Sequence, residues 1–167
     1  MEKDPARELL RHAVATLAYR AAKAARDAPE GFEALRAGPT TRTPGEILAH
    51  VGDLLDWALS MAEGKPAWND SRPLPWAEEI ARMHAALARL DAYLASSAPL
   101  ATPPEKLFQG PVADALGHVG QIALLRRLGG GPEFSIPGGA GLVVALAVLV
   151  WLASGFYIVD AGERGVV

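Results

Sequence analysis

The sequence predicts an all-α protein: a four-helix bundle followed by a single transmembrane helix. Three observations carry that expectation. Apolar residues recur at three- and four-residue spacing in four separate segments, Pro- and Gly-rich stretches divide those segments, and the run 141–159 contains no charged residue. No strand-like alternation stands out between them, which argues against a mixed sheet fold. The organisation expected is a bundle over 1–131, a Gly/Pro linker over 132–140, a membrane span over 141–159 and a short polar tail over 160–167.

The first helix runs from Pro5 to about Asp27, with Leu9, Leu10, Ala13, Leu17, Ala21 and Ala24 on one face and Arg7, Arg11, Arg20, Lys23 and Arg26 filling much of the rest. Pro29, Gly31, Gly38 and Pro39 then interrupt it. A second helix opens at Thr43-Pro44-Gly45-Glu46, a Thr N-cap with Pro at the first helical position and Glu three residues on to close a capping box, and extends to about Gly64. Lys65 to Pro75 is a long surface connection. The third helix spans about Trp76 to Ala95 on the stripe Ile80, Met83, Leu87, Leu90 and Leu94, with Glu78 and Glu79 suited to the positive end of its dipole. A further Pro-rich crossing leads to Pro111, placed to open a fourth helix that ends at Arg126-Arg127-Leu128 before Gly129.

Charge and composition narrow the chemistry. A net charge of −3, with no Lys/Arg stripe interleaved with aromatics, excludes nucleic acid as an expected partner. The absence of cysteine removes disulfides, thiolate ligands and a cysteine nucleophile, so a metal here must be held by nitrogen and oxygen. Residues 1–30 are studded with charges and lack the apolar core of a secretory signal, so the N-terminal domain is expected to be cytoplasmic.

Four histidines are present. Asp114 and His118 lie four residues apart and so rise from one face of the fourth helix. His50 shares the inward stripe of the second helix with Leu54 and Trp57. Two imidazoles and a carboxylate leave coordination positions open, a geometry suited to zinc and also to nickel, iron or manganese. The competing reading of an i,i+4 Asp/His pair is a surface ion pair or a dipole partner. Asp53, one turn after His50, is either an acceptor for an imidazole N–H or a solvated helix residue; Gln121 either reaches a ligand or bonds between helices; Trp57 is a core or pocket-wall aromatic. His12 and His84 are read as partly buried or surface residues outside the site. The local likeness of Ala49-His50-Val51-Gly52 to Gly117-His118-Val119-Gly120 suggests close helix approach at both histidines, or chance.

The stretch from Thr43 to His50, with Asp53, Trp57, Asp114, His118-Val119-Gly120-Gln121 and Leu124-Leu125-Arg126-Arg127-Leu128, resembles the DinB/YfiT-like family over about the first 130 residues. That resemblance implies a four-helix bundle binding a divalent metal. The family's ligands are often three histidines, one on the second helix and an H-x-x-x-H pair on the fourth. His50 and His118 then correspond to family ligands, while Asp114 stands where the family more often has a histidine. The implied activity is a small-molecule transferase or hydrolase, thiol-dependent in some similar proteins, and related bundles often dimerise.

The segment Gly141 to Val159 is uncharged over 19 residues, roughly 28 Å as a helix and matched to a bilayer. The competing reading is a fifth, buried helix, which the lack of a polar face disfavours. Arg126 and Arg127 upstream favour an inside N-terminus in the inner or cytoplasmic membrane. With Trp151-Leu152-Ala153-Ser154-Gly155-Phe156-Tyr157-Ile158-Val159 followed by Ala161-Gly162-Glu163-Arg164-Gly165-Val166-Val167, about 27 residues resemble the membrane anchor and first strand of HflK-type members of the SPFH family. Two functions follow as expectations: a membrane-tethered metalloenzyme acting through His50, Asp114 and His118, or a non-catalytic helical interaction module anchored beside an SPFH-type protease regulator.

Overall fold

The computed structural model describes residues 4–129. The linker expected over 132–140, the membrane span over 141–159 and the tail over 160–167 lie outside them. Among the described residues no helix is long and apolar enough to cross a membrane.

The described chain is all helical, with four helical arms packed around one apolar core. Helix α1 is Pro5–Ala25, started by the Asp4 side chain accepting from the Ala6 N–H. A short 3₁₀ turn, Phe32–Ala34, precedes α2, Pro44–Ala62. The capping box is formed as the sequence predicts: Glu46 N–H donates to Thr43 Oγ1 at 3.2 Å, and Thr43 N–H donates to Glu46 Oε2 at 2.7 Å. That backbone donor holds the Glu46 carboxyl below its usual range. At the other end, Gly64 at φ +79° lets Lys65 N–H reach back to the Ser60 carbonyl, a Schellman close.

Helix α3 is Trp76–Ala95. The fourth arm differs from the expected one. It begins at α4, Pro104–Leu107, widens through a π-helical turn, Phe108–Val112, and continues as α5, Ala113–Leu128. Pro111 therefore lies inside the arm and does not start it. It has no N–H to offer and its ring crowds the preceding turn, and the wider π-turn accommodates both defects. That turn ends two residues before Asp114.

Two arginines on different arms each cap the carbonyl end of a neighbouring arm, which fixes the arms lengthwise. Arg7 of α1 donates to the carbonyl of Leu94 in the last turn of α3 and to those of Ser96 and Ala98 beyond it. Arg126 of α5 donates to the carbonyls of Arg26 and Asp27 at the end of α1, and its guanidinium also lies 5.7 Å from the centre of the Phe32 ring. Between the arms lie Leu17, Leu48, Val51, Leu55, Met83, Leu90 and Ile122, all nearly inaccessible to solvent. The first-helix stripe is shifted from the expected one: Val14 is buried and Leu9 is exposed.

Candidate metal centre

Helix α2 packs against both α3 and α5, so its two flanks face different neighbours. On the α5 side the structure brings His50, Asp114 and His118 together. One ligand atom from each lies within 4.8 Å of the other two. Asp114 stands between the imidazoles, with Oδ1 3.4 Å from His118 Nε2 and Oδ2 3.9 Å from His50 Nε2. The two rings meet edge to face with centroids 4.7 Å apart. The imidazoles are only 20 % and 15 % exposed, whereas the carboxylate is 55 % exposed, so the group opens toward solvent on the Asp114 side.

The donor set fits a divalent ion. His118 Nδ1 lies 3.0 Å from Gln121 Oε1. In the tautomer where Nδ1–H donates to that oxygen, Nε2 keeps its lone pair and faces Asp114 and His50. His50 has no hydrogen-bond partner among the described residues beyond the long contact to Asp114. Its pKa is lowered, first by burial and then by His118 and Arg42, against the opposing pull of Asp114 and Asp53. A neutral imidazole is the form that binds a metal.

Aromatic residues build a wall around His50. Trp68, from the connection between α2 and α3, meets the His50 ring edge-on at 5.5 Å and Trp57 at 5.8 Å. Trp57 thus reaches the site through Trp68. No sequence signal marks Trp68, which sits in a Pro-rich stretch with no periodicity.

Asp53 lines the cavity beside His50 and is itself buried, but its hydrogen bonds go elsewhere. Its oxygens accept from the Ser71 N–H at 2.8 Å, the Ser71 hydroxyl at 2.7 Å and Arg82 Nη1 at 3.0 Å. Arg82 also donates to Glu79 Oε1 at 2.6 Å and to the Ala49 carbonyl at 2.6 Å, and Glu79 Oε2 accepts from the Leu74 N–H. Two buried carboxylates and one guanidinium therefore pin the connection that carries Trp68 to both α2 and α3. His12 and His84 line a separate groove with Arg11 and Asp91.

The two similar four-residue segments have different surroundings. A Cβ on Gly52 would stand 2.6 Å from Arg82 Nη2, whereas Cβ atoms on Gly117 and Gly120 would meet nothing within 4 Å. The small residue on α2 admits a guanidinium; those on α5 face open space.

Compared with known proteins, this chain matches no family model. No curated protein and no solved structure matches it either. What stands is an all-α four-helix bundle with a His/Asp/His group able to hold a metal ion.

Proposed function

We propose that the protein is a metal-dependent, DinB-like transferase or hydrolase for a small-molecule substrate, with a divalent ion held by His50, Asp114 and His118. The observation that carries this reading is the convergence of two imidazoles and one carboxylate from two different helices within 4.8 Å. Gln121 orients one imidazole, and the other lacks a competing partner among the described residues. Two nitrogens and one oxygen suit zinc, with nickel, iron or manganese as alternatives, and leave positions open for a substrate. The ion supplies Lewis acidity, which makes a coordinated water or thiol a better nucleophile near neutral pH. The chain's own groups would place the ion: His50 and His118 would offer imidazole nitrogens, Asp114 would balance charge, and Trp68 packs edge-on against the His50 ring.

The uncharged run 141–159 is proposed to tether the bundle to the inner or cytoplasmic membrane with the bundle on the cytoplasmic side. Metal analysis of the full chain after zinc loading and gel filtration tests the enzyme reading. About one zinc per chain, lost in His118→Ala and in His50→Ala, is the expected result. Equal metal content in all three proteins, or none in any, contradicts it.

A further inference from the structure

The two imidazoles of the metal group line two different cavities of opposite character. One, of about 350 Å³, is polar and includes His50, Arg36 and Asp70 in its wall. The other, of about 440 Å³, is bounded by Ile47, Leu124, Leu125 and Leu128, with His118 and Gln121 at its edge. Thr41 and Arg42 line both. They form the shared wall.

The arginines at this mouth have different partners. Arg36 is occupied by Glu46 at 3.0 Å and by the Thr41 carbonyl at 2.6 Å. Arg42 is exposed, and no carboxylate lies within ion-pair distance of it among the described residues. A guanidinium with unused donors suits a carboxylate or phosphate, which it can grip with two parallel N–H bonds. The neighbouring Leu124 and Leu128 are 54 % and 66 % exposed, an apolar surface open to a ligand's hydrocarbon part.

We propose that the substrate is a small amphiphilic anion, whose carboxylate or phosphate is held by Arg42 while its apolar group lies along Leu124 and Leu128. This deepens the metalloenzyme reading, since the site that would bind the anion opens beside His50 and His118. Among the described residues no other Lys or Arg lines both cavities.

The test uses the full chain in a non-ionic detergent, with and without zinc, titrated with hexanoate, hexyl phosphate, hexanol and acetate and followed by ligand-observed NMR. Hexanoate or hexyl phosphate is expected to bind at least tenfold more tightly than acetate and hexanol, and their ratio assigns the anion as carboxylate or phosphate. Arg42→Gln is expected to abolish the advantage over hexanol, and Leu124→Asp to abolish the advantage over acetate. Hexanoate and hexyl phosphate that bind no better than acetate, or that bind Arg42→Gln unchanged, overturn the proposal. If zinc fails to bind but Arg42-dependent anion binding persists, only the metal reading falls. If zinc binds through His50 and His118 and the anions do not, only the substrate class falls.

Discussion

His50 and Asp53 are three residues apart on α2, yet they belong to polar clusters with opposite properties. Asp53 joins Arg82 and Glu79 in a group that is closed: both carboxylates are buried, and their oxygens are taken by the guanidinium, the Ser71 hydroxyl and the backbone N–H groups of Ser71 and Leu74. His50 joins Asp114 and His118 in a group that is open: its contacts are long, one member is half exposed, and one ligand atom from each residue lies within 4.8 Å of the other two. A saturated cluster holds the fold, because every buried polar group already has its partner. An unsaturated one whose donors converge calls for something to fill it. The difference in satisfaction, more than residue type, separates scaffold from site here.

The comparison breaks first at Arg82. Removing the one cation from the closed cluster leaves two buried carboxylates uncompensated, so Arg82→Met is expected to cost about 3–5 kcal/mol of stability. Asp114→Ala, in the open cluster, is expected to stay within about 0.5 kcal/mol in metal-free protein. Urea unfolding of both variants measures the contrast, and similar losses would erase the distinction.

Glycine substitutions sharpen it further. Gly52→Ala places a methyl against Arg82 and is expected to cost roughly 1–3 kcal/mol as the guanidinium shifts. Gly120→Ala, at the matching position of the similar segment on α5, meets nothing and should stabilise by up to about 1 kcal/mol through helix propensity. Thermal unfolding of the pair gives the two signs.

At the open cluster, Gln121→Leu leaves all three ligands but removes the acceptor that orients His118. Zinc affinity is expected to fall roughly 10- to 100-fold with little change in metal-free stability. A competition titration with a chromogenic chelator reads the loss.

The smallest effect is in pH. Burial, His118 and Arg42 lower the His50 pKa beneath its ordinary value of 6.5 in the metal-free fold. The unfolded chain therefore binds this proton more readily, so His50 opposes folding below its depressed pKa. Stability rises with pH through the window between that value and 6.5, and no cost remains above it. NMR titration of the His50 ring should show a midpoint below 6.5, and Asp114→Asn, which removes a raising influence, should move it lower still.

Much of the bundle was legible because its signals are local. Thr43, Pro44 and Glu46 specify a helix start whatever packs above them, and the apolar stripe of α3 is readable residue by residue. Pro111 lies inside the arm although a proline that follows a Pro-rich crossing and Gly110 reads as a first-turn residue; only the π-turn around it shows that the arm starts at Pro104. The spacing of Asp114 and His118 is visible on one helix; the approach of His50 is tertiary, and its inward stripe gave the only hint. The closed cluster was hidden for a different reason. Glu79 and Arg82 look like an ordinary surface pair at i,i+3, and nothing local reveals that Gly52 admits the guanidinium and that Asp53 receives it. Trp68 and Arg42 lie in irregular stretches, where periodicity carries no information about facing.

X-ray absorption at the zinc edge of the zinc-loaded full chain shows whether two imidazoles and a carboxylate share one ion. Two imidazole nitrogens at about 2.0–2.1 Å together with oxygen ligands are expected. A zinc environment with fewer than two imidazole nitrogens would contradict that arrangement.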